Sequence, residues 1–226
     1  MKELRKVSQE ELRGILELHK LWLETEGKEG AQADVSYCDL SNADLTYAVL
    51  TNANLRYANV SNANLKYANL TYADLRYSNV SNANLRYANL TNANLTNANL
   101  SDTNLRCADL RCADLTNADL SNTILYKTNL FCAKVDNMVG LVNVGNENRT
   151  VYYFYKDNRV ICGSFDNTLE EFKKAVKEKY GEDYGSYAIA IEVFESMKNE
   201  RWAVTLTGNT LAADMKQSDS LIIFPI

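Results

Sequence analysis

The stretch ADLTYAVLTNANLRYANVSNANLKYANL (43–70) repeats a five-residue pattern that extends from Val35 to Val135. Every fifth residue in that span is Leu or Val, at 21 positions in succession. The residue two places earlier is Ala at 16 of these positions, and the residue directly before is Asn or Asp at 18 of them. A pattern of this regularity indicates one structural unit that is repeated along the chain.

A period of five fits neither of the common secondary structures. On an α-helix every fifth residue advances by about 500°, so the leucines would spiral around the axis. On a flat strand the odd spacing would place successive leucines on opposite faces. The leucines can all point inward only if the chain turns a corner every five residues, which predicts a polygonal coil. Asn and Asp suit such corners because they tolerate unusual backbone angles and bond their own main chain.

The variable positions predict how many sides the coil has. The segment VSNANLKYANLT (60–71) recurs as VSNANLRYANLT (80–91), twenty residues later. Serine recurs at the same spacing, at Ser41, Ser61, Ser81, Ser101 and Ser121. Four pentads therefore make one turn of a square prism. We expect about five coils, and at a sheet spacing of about 4.8 Å they would stand roughly 25 Å tall.

The Ala-(Asp/Asn)-Leu-x-x signature of ADLTYAVLTNANLRYANVSNANL (43–65) resembles the pentapeptide repeat family, over residues 33–137. The resemblance implies a mainly β solenoid, a right-handed quadrilateral β-helix, that usually has no enzymatic activity. The best-known members protect or inhibit DNA gyrase by imitating duplex DNA, and most members have no assigned role. This chain departs from the gyrase-directed members, because acidic and basic residues balance over the repeats and no loop interrupts the coil.

The first 30 residues are predicted to form a capping helix. Ser8 and Glu11 make a capping box, residues 8–26 carry an apolar stripe, and Gly27 ends the helix. An open coil exposes apolar side chains and unpaired strand edges at its end, so we expect this helix to cover the first coil. His19 lies on the apolar stripe and is predicted to be a packing residue and not a catalyst.

Residues 138–226 are predicted to form a small α+β domain. Its predicted elements are a hairpin of 151–155 with 160–165, helices over 169–181 and 187–198, and weaker strands at 203–207 and 221–226. Before it the repeat degrades, with apolar residues in polar positions at Ile124, Tyr126, Phe131 and Met138. We interpret these as a docking surface for the domain. Whether the domain is a cap or the functional module stays open at this point.

Two outward columns of tyrosines form the candidate interaction surface. The first tyrosine face consists of Tyr37, Arg56, Tyr57, Arg76 and Tyr77. The second tyrosine face, on the opposite side, consists of Tyr47, Lys66, Tyr67, Arg86 and Tyr87, with Arg106 further along. Tyr and Arg are enriched at protein interfaces, so one interpretation is a protein partner. Two alternatives are tyrosines that stack on one another without a ligand, and stacking of single-stranded bases.

Charge and cysteine content narrow the classes of partner. The chain carries a net charge of −5, and residues 31–135 have eight basic and eight acidic groups. Without a basic region we expect no duplex DNA as a ligand, and without an apolar run of eighteen residues no membrane. Five cysteines and no signal-like start predict reduced thiols and a cytoplasmic location. Cys112 and Cys132 fall one coil apart in one column, within disulfide reach; we expect free thiols there, and their pairing stays open.

The sequence carries no recognisable catalytic set. Cys162, Gly163 and Ser164 have no histidine nearby to act as a base, and no phosphate-binding loop or His–Glu metal helix is present. The prediction is therefore a non-enzymatic structural or protein-interaction scaffold with no cofactor and no metal, as a monomer or a homodimer. The alternatives are a gyrase-directed DNA mimic and a single-stranded nucleic-acid binder.

Overall fold

The computed structural model describes residues 4–136, 138–144, 149–154, 158–162, 165–181, 186–198 and 223–224. The chain divides into two compact units, Met1–Asp136 and Asn137–Ile226. The first unit holds the five-residue repeats, and the second holds helices and an antiparallel sheet.

Each pentad of the first unit is held by the same short set of backbone hydrogen bonds. The Leu45 amide donates to the Asn64 carbonyl at 2.8 Å, and the Asn64 amide donates to the Ala43 carbonyl at 2.9 Å. Asp44 thus forms a parallel bridge with Asn64, twenty residues away, and such bridges continue from Asp34 to Lys134. Since each side contributes a single bridged residue, the coil has few residues in continuous strands. The twenty-residue spacing is that of a four-sided coil.

The corner of each pentad lies in the left-handed backbone region, two residues after the Leu. From Tyr37 to Cys132 every fifth residue has a φ between 54° and 62°. Asn occupies many of these positions, but Tyr occupies seven of them. The Asn or Asp before the Leu has a different role, as at Asn54, whose Oδ1 accepts the Arg56 amide at 3.2 Å. The two properties expected of corner Asn and Asp therefore belong to two different positions of the pentad.

The interior of the coil is filled by the Leu, Val and Ala of the repeat. Leu55, Val60 and Leu85 are fully buried, as is the small residue Ala53. Where the small position is a hydroxyl residue, its oxygen finds a backbone partner: Thr103 Oγ1 donates to the Val80 carbonyl at 2.8 Å. The buried polar groups are thus satisfied without interrupting the apolar column.

The N-terminal segment adds to the edge of the first coil. Strand β1 (Arg5–Lys6) pairs in parallel with β2 (Cys38–Asp39). Helix α1 (Gln9–Glu24) follows, and the Ser8 side chain accepts a hydrogen bond from the Glu11 amide at 3.1 Å. The capping box was predicted at this place, and the helix ends at Glu24, two residues before the predicted end.

Side chains of α1 bind backbone groups of the first coil. Gln9 bridges Asp44, with Nε2 donating to its carbonyl at 3.0 Å and Oε1 accepting its amide at 3.3 Å. His19 is fully buried, and its Nδ1 accepts the Ala33 amide at 3.0 Å. Burial lowers the pKa of His19, with an opposing contribution from the Thr51 backbone. The helix therefore satisfies groups that the edge of an open coil would leave unpaired.

In its described residues the second unit has a five-stranded antiparallel sheet and two helices. The elements are β3 (Met138–Val144), β4 (Arg149–Phe154), β5 (Arg159–Cys162), β6 (Phe165–Thr168), α2 (Leu169–Tyr180), α3 (Ser186–Lys198) and β7 (Ile223–Phe224). The sheet order is β6-β5-β4-β3-β7. Tyr153, Phe172 and Phe194 are at the centre of its apolar core. The predicted strand at 203–207 lies outside the described residues, as do residues 221–222 and 225–226 of the last one.

The second unit differs from the sequence prediction at its start. Residues 138–144 form β3, which pairs with both β4 and β7, although no strand was predicted there. Met138, which was assigned to a docking surface, begins this strand. In the first unit Ile124 and Phe131 are exposed at 44% and 47%. Their docking role stays a prediction.

Candidate functional site

The tyrosines of both faces occupy the left-handed corner of their pentads. The Tyr57 amide donates to the Arg76 carbonyl at 3.0 Å, and the Tyr67 amide donates to the Arg86 carbonyl at 3.0 Å. Each ring therefore leaves the coil from a hydrogen-bonded backbone. Because tyrosines of one face are twenty residues apart, they stand directly above one another.

The rings within each face form a parallel stack. On the first tyrosine face the ring centroids of Tyr37, Tyr57 and Tyr77 are 4.7 and 4.9 Å apart. On the second tyrosine face both separations, Tyr47 to Tyr67 and Tyr67 to Tyr87, are 5.0 Å. A left-handed residue with a bulky side chain costs about 1–2 kcal/mol, and an aromatic pair contributes about 0.5–1.5 kcal/mol. Stacking thus offsets much of the backbone cost and is a structural reason for tyrosine at these corners.

A cation lies beside the rings on both faces. Arg56 is 5.7 Å from the centroid of Tyr57, and on the other face Lys66 is 4.9 Å from that of Tyr67. Arg86 is 5.6 Å from the centroid of Tyr87. Each contact is within the range of a cation–π interaction. All ten residues of the candidate surface therefore lie in two columns of rings and cations.

Asp74 forms ion pairs with the cations of the first tyrosine face and offsets one of their two positive charges. Arg76 donates to Asp74 through Nε at 2.8 Å and Nη2 at 2.5 Å, and Arg56 Nε lies 3.9 Å from the same carboxylate. Partial burial acts to raise the pKa of Asp74, but the hydrogen bonds and charge of Arg76 outweigh it, so the pKa is lower than usual. This face has a carboxylate placed between its two guanidinium groups.

The second tyrosine face has no such carboxylate. Lys66, Arg86 and Arg106 form no ion pair with any of the described residues. The Nε of Arg86 on this face and the Nε of Arg56 on the first face are both buried without a hydrogen-bond partner among the described residues, so the two faces differ in their ion pairs and not in this atom. The second face is thus an uncompensated cationic surface beside aromatic rings.

Two further tyrosines, the exposed Tyr72 and the half-buried Tyr126, were not in the predicted surface. Tyr72, at 59% exposure, stands at the left-handed corner of a third side. Arg106 is 4.7 Å from the Tyr126 ring and Lys127 is 5.4 Å from it, which extends the second face by one more coil. Tyr126 had been assigned to docking, because it replaces a polar residue. Tyr126 lies twenty residues beyond Arg106, in the same column, and this spacing is the sequence signal that would have assigned it to the second face.

The other metal-ligating side chains and the cavity of the described residues do not form a second site with cations beside aromatic rings. In the described ranges no three His, Cys, Asp or Glu side chains could hold a metal ion. A cavity of about 260 Å³ in the second unit is lined mostly by apolar and aromatic side chains, among them Phe172, Val176 and Tyr187. No helix among the described residues is long and apolar enough to cross a membrane.

The repeated four-sided coil defines the class of the first unit: it is a β-solenoid repeat protein. A family model for pentapeptide repeats matches eight copies, over residues 33–71, 63–102 and 93–131. This part of the chain belongs to the pentapeptide repeat family, and its coil is accordingly a right-handed β-helix. Proteins of this family are generally non-enzymatic structural or interaction proteins.

Solved structures of the family are similar to part of this chain. Rfr23 from the cyanobacterium Cyanothece is 42% identical, with a TM-score of 0.38, over 40% of this chain and 60% of its own. HetL, involved in heterocyst differentiation regulation in Nostoc, is 32% identical, with a TM-score of 0.21, over 46% and 53%. QnrB1, a plasmid-mediated fluoroquinolone resistance protein, is 21% identical, with a TM-score of 0.33, over 50% and 70%. No curated protein matches the chain.

Proposed function

We propose that this chain is a non-enzymatic scaffold that binds another protein through its second tyrosine face. The observation that supports this proposal is the column of Lys66, Arg86 and Arg106, which lacks an ion pair among the described residues. Such cations beside exposed aromatic rings suit a partner that carries surface carboxylates. The cytoplasm is the proposed location.

The exposure of the rings and the restricted side chain of Arg86 favour a protein surface as the ligand. Tyr47, Tyr67 and Tyr87 are exposed at 67%, 39% and 42%, so their outer edges are accessible. Arg86 is half-buried, and holding it in place costs little extra conformational entropy on binding. Charge-assisted hydrogen bonds from guanidinium to carboxylate are about twice as strong as neutral ones. A rigid column of this kind can therefore bind without rearrangement.

The scaffold itself is proposed to be a rod of about five coils. Helix α1 caps its first coil through the hydrogen bonds of Gln9 and His19 described above. The small α+β domain that follows is proposed as a separate module. A monomer or a homodimer is compatible with this arrangement.

Imitation of duplex DNA, directed at gyrase, is the alternative that family membership suggests. It requires an outward array of acidic groups. Several carboxylates here instead bind their own main chain: Asp39 Oδ1 accepts the Ser41 amide, and Asp114 Oδ1 accepts the Thr116 amide, both at 3.1 Å. The hydrogen bonds from Ser41 lower the pKa of Asp39. Single-stranded nucleic acid is disfavoured because the inner ring faces are already stacked on neighbouring tyrosines.

The experiment compares two variants that alter one face each. The triple variant Lys66→Thr, Tyr67→Asn, Arg86→Thr removes the centre of the second face, using residue types that occupy the same pentad positions at Thr96 and Asn97. We expect loss of the partners captured by the wild-type chain from a cell lysate. The matched control Arg56→Thr, Tyr57→Asn, Arg76→Thr alters the first face in the same way and should retain them.

Three results would contradict the proposal. Equal capture by both variants would show that neither face is used, and loss only in the first-face variant would place the site on the wrong side. Inhibition of gyrase supercoiling by micromolar wild-type protein, unchanged in both variants, would favour the DNA-mimic alternative. Oligomeric state is measured in parallel by light scattering, so that dimer loss is not mistaken for partner loss.

A further inference from the structure

We propose that Cys112 and Cys132 are a modification site, at which a small-molecule disulfide converts two thiols into a reversible cross-link between successive coils. This inference is independent of the partner-binding proposal, since the two cysteines lie outside both tyrosine faces. It concerns the last coil of the repeat.

The two cysteines occupy equivalent corners of pentads that are twenty residues apart. Both are left-handed, with φ of 55° for Cys112 and 59° for Cys132. The Cys112 amide donates to the Phe131 carbonyl at 2.9 Å. The parallel bridges Asp109↔Asn129 and Asp114↔Lys134 hold the pentads in register on either side. The two side chains therefore leave the backbone in the same direction, one directly above the other.

The distance between coils is suitable for a disulfide. Tyrosine rings at the same corner position, stacked coil on coil, have centroids 4.7–5.0 Å apart. Disulfides join residues whose Cα atoms are about 4.4–6.8 Å apart. The spacing of about 4.8 Å between coils is within this range of Cα distances, so a rotation of the two side chains can bring the sulfur atoms together.

Solvent exposure and contact with each other distinguish Cys112 and Cys132 from the other cysteines. Cys112 and Cys132 are exposed, whereas Cys38 is buried. Desolvation raises the pKa of Cys132, and the nearby Cys112, through its charge and a thiol hydrogen bond, raises it further, which indicates that the thiols are adjacent. Cys107 is half-buried on the neighbouring side, and the residues one coil away from it are Tyr87 and Lys127. Only the first two cysteines are therefore neighbours in one column.

The reaction is thiol–disulfide exchange. One cysteine thiolate attacks a sulfur of the small disulfide, which forms a mixed disulfide and releases one small thiolate. The second cysteine loses its proton and attacks the protein sulfur of the mixed disulfide, which releases the other small thiolate. The protein gives up two electrons and two protons, and the small disulfide is reduced to two thiols. The product closes a loop that contains the whole last coil, residues 113–131.

The test uses the full chain treated with oxidised glutathione and digested with trypsin without reduction. Cleavage after Arg111, Lys127 and Lys134 places the two cysteines in separate peptides, 112–127 and 128–134. We expect these two peptides to be recovered joined, with loss of two titratable thiols. The midpoint of thermal unfolding should rise by roughly 5–10 °C, because the cross-link constrains the unfolded chain, and dithiothreitol should reverse the change.

Matched variants make the outcome specific. Cys112→Asn and Cys132→Asn place a residue that already occurs at this corner, as at Asn92, and each should give a stable glutathione adduct without the shift in midpoint. Cys107→Asn should behave like the wild type. The proposal is overturned if the wild type shows only glutathione adducts, if 107–111 is recovered in the cross-link, or if the shift persists in Cys132→Asn.

Discussion

The two tyrosine faces have the same backbone and the same stacked rings, yet differ in charge compensation. On the first face Asp74 binds Arg76 and lies near Arg56. On the second face the equivalent position before the Leu is Asn84, next to Arg86. The carboxylate of Asp74 and the carboxamide of Asn84 thus decide whether the neighbouring guanidinium group has an ion-pair partner. A strictly repeated fold can in this way carry two different surfaces.

The amides of the second face are used within the column. Asn84 Nδ2 donates to Asn64 Oδ1 at 3.2 Å, and Asn64 Nδ2 donates to Thr46 Oγ1 at 2.7 Å. These hydrogen bonds run from one coil to the next and link successive coils along this face. Because carboxamides carry no charge, the cations of this face have no ion-pair partner within the part of the chain that the structure describes.

The largest effect is expected in the core that both faces share. Leu85→Ala removes a fully buried side chain and should lower the free energy of unfolding by about 2–5 kcal/mol, because a cavity remains in the rigid coil. Urea denaturation measures the loss. Leu120→Ala, at a half-buried leucine, is the control and should cost clearly less. Equal losses would mean that the coils do not depend on the central column.

A smaller effect should separate the faces themselves. Arg76→Thr removes the guanidinium that Asp74 binds and should destabilise the chain slightly but measurably, since the pair is partly exposed. Arg86→Thr breaks no ion pair among the described residues and should stay within about 0.5 kcal/mol of the wild type. Denaturation at neutral pH compares the two. A larger loss for Arg86→Thr would reverse the contrast between the faces.

Acid should reduce the difference between Arg76→Thr and the wild type. The pKa of Asp74 is lowered in the folded chain, so its stabilisation is present above the ordinary value of about 3.9 and is lost as the pH falls through the lower folded value. Denaturation curves at pH 7, 5 and 3 should show the wild type approaching the variant. Arg86→Thr should run parallel to the wild type, and a constant gap for Arg76→Thr would contradict the assignment.

The smallest effect is expected from the rings. Tyr57→Asn and Tyr67→Asn each remove the middle ring of a stack but place a residue that tolerates the left-handed corner, so both should change stability by less than about 1 kcal/mol. The near-ultraviolet circular dichroism of stacked tyrosines should decrease equally in both. Unequal changes would show that the stacks differ in more than their neighbouring charges.

Much of the candidate surface follows from a repeat count. Once twenty residues per coil are assumed, the column positions of Tyr47, Tyr67 and Tyr87 follow, and so does the position of Cys112 next to Cys132 in one column. The difference between Asp74 and Asn84 was also present in the sequence. The sequence prediction did not use this difference, because it treated every Asn or Asp before a Leu as a corner residue, whether the side chain was charged or neutral.

The secondary structure of the second unit could be predicted less completely from the sequence. Helix α2 begins after Thr168, whose side chain accepts the Glu171 amide, and such local capping is visible in sequence. Strand β3 is different, because its partners are β4, which is near in sequence, and β7, which is about 80 residues away. Its pairing depends on distant segments, which no local pattern reports.

The amino-acid pattern alone was enough for the coil, its four sides and the columns of side chains, because one packing rule repeated at 21 positions leaves no other path for the chain. The tertiary structure was needed to locate the left-handed corner two residues after each Leu. It was also needed to find the carboxylate between Arg56 and Arg76. These depend on hydrogen bonds and charges between coils. Contacts of that kind exist only when residues twenty apart are brought together.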